Sequence, residues 1–117
     1  MARVAELVRP EDFQSALDAS QEGPVALLKH SIACPISARG QEQFVGLEAE
    51  GDPPLYCVVV QYARPLSQHI AETLGVKHET PQALILRRGK AVAVFNHREI
   101  TTAGLREAAR AAAREAA

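Results

Sequence analysis

One cysteine stands where its thiol could act as a nucleophile. Cys34 follows an apolar run at residues 25–29 and precedes Pro35, a residue that suits the first position of a helix. This order places Cys34 at the N-cap, where unpaired backbone N–H groups form the positive end of the helix dipole. Thiols in such settings have pKa values of about 3.5–7.5 instead of about 8.5, so we expect a thiolate at neutral pH.

The residues next to Cys34 support the same interpretation. Lys29 and, when protonated, His30 would add positive charge upstream of the thiol. The alternative is that Cys34 is an ordinary helix cap, but Ser, Thr, Asn or Asp would serve that purpose better. The second cysteine, Cys57, lies in the most apolar segment of the chain and is expected to be inert core.

The pattern around these cysteines predicts an α/β sandwich. Apolar runs alternate with helix signals in the order β-α-β-α-β-α-β-β-α, which fits a central mixed sheet flanked by helices in a single domain, residues 1–117. The predicted strands cover residues 4–8, 25–29, 55–61, 81–87 and 90–95, and the predicted helices start at Pro10, Pro35, Pro65 and Thr101 or Thr102, with the second reaching Ala49 and the last Ala116.

Composition excludes several classes of function. Thirteen Lys and Arg balance fourteen Asp and Glu, and there is no Trp, so nucleic acid and anionic membrane surfaces are not expected partners. No apolar run approaches the roughly 18 residues of a membrane span, and no signal segment is visible, so we expect a cytoplasmic protein. The two cysteines and the four histidines (His30, His69, His78, His97) lack metal-ligand spacing, and nothing in the pattern demands a dimer, so we expect a metal-free monomer.

The motifs resemble two nested families. A strand followed by Cys-Pro-Ile-Ser at a helix start, with Thr80-Pro81 opening a later strand, resembles the thioredoxin superfamily. The longer string Leu-Lys-His-Ser-x-x-Cys-Pro-Ile-Ser at residues 28–37 is similar to the monothiol bacilliredoxins, and the likeness extends through residues 78–82 to nearly the whole chain. The resemblance implies a thioredoxin-like three-layer sandwich and a thiol-disulfide oxidoreductase that removes bacillithiol from protein mixed disulfides.

The resemblance also implies roles for individual residues. Cys34 would attack the bacillithiol sulfur, Pro81 would be a cis-proline that shapes the groove, and Thr80 would offer its backbone to an extended substrate. Ser37 stands where dithiol relatives carry a resolving cysteine, so a second thiol molecule would have to resolve the adduct. Ser37 itself either donates a hydrogen bond to the thiolate or fills the helix surface.

Substrate binding is assigned on the same basis. Bacillithiol would be a co-substrate rather than a bound cofactor, and bacillithiolated client proteins and a low-molecular-weight thiol would be the partners. The malate group of bacillithiol carries two carboxylates, which bind favourably to cationic side chains and to helix N-termini. The candidate substrate-binding residues are Pro35, Ile36, Thr80, Lys29, His30 and Arg39, with Arg98 and the helix start at Thr101-Thr102 as further carboxylate sites.

Two other functions remain open at this point. The first is a protein similar to the monothiol glutaredoxins, which hold an iron–sulfur cluster between two chains. Those proteins carry a motif like Cys-Gly-Phe-Ser at this site, and we expect Pro35, which stands in place of the glycine, to crowd such a cluster. A redox-silent thioredoxin-like binding module would keep the groove and have an unperturbed Cys34 thiol.

Overall fold

Within residues 4–114, the chain forms five strands and four helices in the predicted order. The structure, a computed structural model, describes residues 4–114. Its strands are β1 (Val4–Glu6), β2 (Val25–His30), β3 (Leu55–Val59), β4 (Gln82–Arg87) and β5 (Lys90–Asn96), and its helices are α1 (Phe13–Glu22), α2 (Pro35–Val45), α3 (Arg64–Leu74) and α4 (Thr102–Arg114). Short 3-10 turns lie at Pro10–Asp12, Val60–Tyr62 and His97–Glu99. None of these helices is both long and apolar enough to cross a lipid bilayer.

A single mixed sheet forms the centre of the molecule. Its strand order is β1-β3-β2-β4-β5, with β3 parallel to β1 and β2, and β4 antiparallel to β2 and β5. Every residue of β2 is buried, as expected for a central strand covered on both faces. One core packs α1 and α3 on the sheet through Phe13 and Leu66, and the other packs α2 and α4 through Phe44 and Leu105. The predicted three-layer α/β sandwich is confirmed.

Helix α2 is shorter than predicted because the start of α4 closes its end. It stops at Val45 rather than near Ala49. The backbone N–H of Thr102 donates to Gln43 Oε1 at 3.0 Å, and the Thr102 hydroxyl donates to the Gln43 carbonyl. A Cβ at Gly46 would lie 2.6 Å from Thr102 Oγ1, so only glycine fits this junction.

The bounds of all five strands differ from the prediction, and β2 and β5 are each one residue longer, ending at His30 and Asn96. The third strand ends at Val59 instead of Gln61, because residues 60–62 turn out of the sheet. The first strand ends at Glu6 and not at residue 8, and β4 begins one residue after Pro81. The predicted last helical residue, Ala116, falls outside the described part of the chain.

The position of Lys29 disagrees with the prediction that its charge acts on Cys34 and that its side chain binds substrate. Its side chain is fully buried, and strand alternation places it with Val25 and Leu27 on the face covered by α1 and α3. Its Nζ donates to the Ser67 carbonyl of α3 at 3.3 Å. Burial lowers the pKa of Lys29 to about 8, because the interior disfavours the charged ammonium.

We predict that replacing Lys29 stabilises the protein and removes a pH dependence. The unfolded lysine titrates near ~10.4, so between pH 8 and about 10 the unfolded state binds more protons and the free energy of unfolding rises with pH. Lys29→Met should raise that free energy at pH 7 by roughly 1–2 kcal/mol and flatten this rise. Urea unfolding at several pH values measures both effects. The exposed Lys90→Met is the matched control, and equal pH slopes in the wild type and Lys29→Met would contradict the prediction.

Candidate active site

Cys34 sits at the start of α2, as its sequence position predicts. The residue has extended backbone angles (φ −123°, ψ 124°) and is the N-cap, and Pro35 occupies the first helical turn. The loop 31–33 connects it to the end of β2. The thiol is free and partly exposed, and it lies beyond the C-terminal end of the central strand β2.

Backbone N–H groups lower the pKa of Cys34. The largest contribution comes from the N–H of Ser37, with smaller ones from the N–H of Ile36 and the Ser37 hydroxyl, while partial burial opposes them. The sulfur makes no capping hydrogen bond of strict geometry, so these groups act as dipoles directed at a large, soft acceptor. The site therefore favours the nucleophilic thiolate.

Ser37 is an interior residue and not a residue of the helix surface. Its side chain is fully buried, and its Oγ accepts the backbone N–H of Ser31 at 3.1 Å. A hydroxyl can accept through its lone pairs and donate its own proton at the same time. The Ser37 proton is thus available to Cys34, which excludes the interpretation of Ser37 as surface filler.

The loop before β4 lies against the first turns of α2. The Thr80–Pro81 peptide bond is cis. Gly40 of α2 has no side chain, and a Cβ there would stand 3.4 Å from the Pro81 ring and 3.3 Å from Ile100 Cδ1. The backbone N–H of His97 donates to the Pro81 carbonyl at 2.9 Å. Pro81 is therefore held from both sides, next to the helix that begins after Cys34.

Thr80 is tied to α3 through a histidine. Its Oγ1 lies 3.1 Å from His78 Nε2, and His78 Nδ1 lies 3.2 Å from Ser67 Oγ. Burial is the main cause that lowers the pKa of His78, so the neutral imidazole with one donor and one acceptor is favoured. The prediction of a loop position for His78 is correct, but its link to Thr80 was not foreseen.

A groove of about 850 Å³ opens beside Ile36. It is lined by Ile36, Glu79, Asn96, His97, Arg98 and Glu99. His97 Nε2 lies 3.2 Å from Glu79 Oε1, and Glu99 accepts the Asn96 N–H at 2.7 Å. Arg98 makes no ion pair with any residue between 4 and 114, so its charge is available to an anion in the groove.

Several predicted binding residues lie away from this groove. Pro35 is exposed beside Cys34, and Arg39 is exposed on α2 but does not line the groove. His30 is almost fully buried, and burial lowers its pKa, so it is a neutral side chain instead of a cation. Lys29 faces α3, as described above.

Most backbone N–H groups at the start of α4 already have an acceptor. Thr101 Oγ1 accepts the N–H of Gly104 at 3.0 Å, and the N–H of Thr102 donates to Gln43 Oε1. The prediction of a helix cap at Thr101 is confirmed, and that cap and Gln43 occupy two of the N–H groups that an anion would use.

Cys57 lies within strand β3 and not at a helix start. It is partly buried and pairs with Leu28 in register, two positions before β2 and β3 end at His30 and Val59. Burial raises the pKa of its thiol, which disfavours the nucleophilic thiolate. Within residues 4–114, no group of three His, Cys, Asp or Glu side chains is arranged to hold a metal ion.

Sequence reasoning missed the residues that frame the site from distant segments. Gln61 contacts the loop before Cys34, although the pattern assigned it to a strand. Glu79 and His97 meet across the groove from segments on either side of the terminal hairpin. The only available signal was the concentration of polar residues at 78–82 and 96–99, next to apolar strands.

A partly exposed cysteine at the start of a helix, with the loop that carries Pro81 packed on that helix and a mixed five-stranded sheet beneath, defines a thioredoxin-fold protein with a monothiol site. The sequence matches the family model described as Monothiol bacilliredoxin BrxC over residues 5–105. The chain therefore belongs to the monothiol bacilliredoxin family.

Solved structures agree with this fold. A protein described as having a thioredoxin fold is 36% identical, with a TM-score of 0.80 over 91% of this chain and 93% of that one. Thioredoxin from Fasciola hepatica (14% identity, TM-score 0.73, 92% and 98% covered) and thioredoxin f from spinach chloroplast (21%, 0.69, 94% and 93%) share the fold. The comparisons and the site together support a thiol oxidoreductase.

We predict that Ser37→Ala weakens the thiolate. Loss of the hydroxyl should raise the pKa of Cys34, but only partly, because the Ser37 N–H makes the larger contribution and remains. Removal of one hydrogen bond to a charged group should slow alkylation of Cys34 at pH 7 about three- to tenfold. The pH dependence of alkylation, followed by mass spectrometry, measures this change. Ser15→Ala on α1 is the control, and an unchanged profile for Ser37→Ala would rule out the role of the hydroxyl.

Proposed function

We propose that the protein removes bacillithiol from mixed disulfides on client proteins. The observation that carries the proposal is the pairing of an activated Cys34 with Ser37 at the position of a resolving cysteine. A hydroxyl cannot form a disulfide, so the site can accept a thiol but cannot expel it alone. This is the chemistry that a monothiol exchange enzyme requires.

The first step is one thiol-disulfide exchange. The Cys34 thiolate attacks the bacillithiol sulfur of the mixed disulfide, a Cys34–bacillithiol bond forms, and the bond to the client sulfur breaks. The client leaves as a thiolate and takes a proton from solvent. The Cys34 sulfur passes from the thiolate to the disulfide oxidation level while the client sulfur makes the reverse change, so this step needs no external oxidant or reductant.

The second step uses another thiol. A low-molecular-weight thiolate attacks the bacillithiol sulfur of the adduct, forms a new disulfide with it and releases the Cys34 thiolate. Cys57 is poorly suited to this step because it lies within the sheet and burial raises its pKa. Free thiol must be abundant, which fits a reducing compartment such as the cytoplasm.

The groove beside Ile36 is suited to the malate of bacillithiol. Arg98 offers a guanidinium without an ion-pair partner among residues 4–114, and a carboxylate could accept from it. Thr80, held by His78, offers backbone groups beside Pro81 for an extended client segment. The proposed contacts therefore lie on one side of the sulfur, along the loop before β4 and the turn before α4.

We predict that Cys34→Ser abolishes release of client thiols from a bacillithiolated protein. The serine oxygen is not nucleophilic at neutral pH, while the N-cap geometry suits serine and keeps the fold. The released client thiol and the mass of the Cys34–bacillithiol adduct are measured together. Cys57→Ser is the matched control and should retain full activity. Full activity in Cys34→Ser would refute the mechanism, and a wild type that stays inert would favour a redox-silent binding module.

We also predict that Arg98→Gln weakens substrate binding without slowing the chemistry. Loss of an exposed charge pair should raise KM for a bacillithiol mixed disulfide about two- to fivefold at low salt and leave kcat unchanged. A neutral mixed disulfide should show no change. Arg39→Gln, outside the groove, is the control. Equal KM values for Arg98→Gln and the wild type would contradict the proposal that Arg98 binds a carboxylate of bacillithiol.

A further inference from the structure

The loop between β2 and Cys34 has every backbone N–H engaged. Ser31 donates to Ser37 Oγ at 3.1 Å, Ile32 donates to Gln61 Oε1 at 3.3 Å, and Ala33 donates to Ser31 Oγ at 3.2 Å. Because all three N–H groups have acceptors within the protein, these hydrogen bonds fix the path of the chain into Cys34. Two of the three acceptors belong to side chains outside the loop.

Gln61 grips this loop with both ends of its amide. Its oxygen accepts the Ile32 N–H, and its nitrogen donates to Ser31 Oγ. Gln61 belongs to the 3-10 turn that follows β3, and β3 ends opposite the end of β2, where Val59 pairs with His30. The turn thus extends from the rigid centre of the sheet to the active-site loop.

The contacts continue from Gln61 to the nucleophile. The Gln61 side-chain amide donates to the Ser31 hydroxyl oxygen. The backbone N–H of Ser31 in turn donates to Ser37 Oγ. The Ser37 side chain is fully buried, and its hydroxyl is one of the groups that lower the pKa of Cys34. Two consecutive hydrogen bonds therefore connect Gln61, just after β3, with Ser37, whose backbone N–H and hydroxyl act on the sulfur.

We propose that Gln61 is a positioning residue for Cys34, which fixes the loop 31–33 and, through Ser31 and Ser37, the donors that face the sulfur. The proposal deepens the proposed function, because it concerns the same nucleophile, but it depends only on the reactivity of Cys34 and not on the identity of the substrate.

The groups that act on the sulfur explain why the positions of the loop 31–33 and of Ser37 affect the thiolate. The groups that lower the pKa of Cys34 are N–H dipoles and a hydroxyl, and no charged side chain among the described residues contributes. Dipole interactions weaken steeply with distance and angle, unlike those of a full charge. A small movement of the loop or of Ser37 would therefore change the stability of the thiolate.

Alkylation by the neutral reagent iodoacetamide tests the proposal in a Cys57→Ser background, where Cys34 is the only thiol. Gln61→Met keeps the length of the side chain and removes both polar contacts. We expect alkylation at pH 7 to slow about three- to tenfold and the midpoint of its pH profile to rise. Gln68→Met is the matched control, because the Gln68 side chain is exposed and donates to the exposed Glu72 on α3.

A double-mutant comparison separates positioning from a general loss of structure. Ser31→Ala removes the hydroxyl that Gln61 holds, so the effects of Ser31→Ala and Gln61→Met should overlap and not multiply. Multiplying effects, or a wild-type pH profile in Gln61→Met, would overturn the proposal. Ser31→Ala alone tests the same link if Gln61→Met fails to fold.

The same variants separate this proposal from the proposed function. Slower exchange with bacillithiol disulfide but normal alkylation would make Gln61 a substrate contact and overturn the positioning role. Slower alkylation, in a protein that never releases bacillithiol from clients, would support positioning and refute the proposed function.

Discussion

The close approach of α2 to the loop before β4 is the constraint on which the site depends. It is possible because Gly40 has no side chain, so the Pro81 ring and Ile100 lie where a Cβ would be crowded at 3.3–3.4 Å. Cys34 precedes α2, and Pro81 precedes β4, so this one contact brings together segments that are far apart in sequence. The turn at His97–Glu99 joins them through the hydrogen bond from His97 to Pro81. The groove is the space that these three segments leave between them.

Activation of Cys34 is a property of the local backbone and not of nearby charge. The two upstream residues that suggested a cationic environment do not supply one: Lys29 is buried against α3, and burial favours neutral His30. The N–H groups of Ile36 and Ser37 belong to the helix that the nucleophile caps. Because salt screens separated charges more than contacts at bonding distance, the reactivity of this thiol should depend little on ionic strength.

The sequence predicts most of the fold because residues within or next to each helix and strand determine where that element begins and ends. Proline at the helix starts, Gly75 with φ +66° at the end of α3, and the Arg88-Gly89 turn between β4 and β5 each act within a few residues. Lys29 shows where local reasoning fails, since its charge suggests solvent while strand alternation places it in the core. Gln61 and the groove depend on contacts between residues from different segments of the chain, such as Gln61 with Ser31 and Glu79 with His97, which no local pattern encodes.

Ser37 has a consequence for how the protein would respond to its surroundings. Because a buried hydroxyl stands in place of a second sulfur, the proposed cycle requires two separate reactions, first with the client mixed disulfide and then with a free thiol. Between these reactions the protein remains a covalent adduct. The lifetime of that adduct is set from outside, by the supply of free thiol. At equilibrium the ratio of capped to free protein follows the ratio of oxidised to reduced small thiol. A protein of this design would therefore report the thiol redox state of its compartment by its own occupancy, even while no client is being repaired.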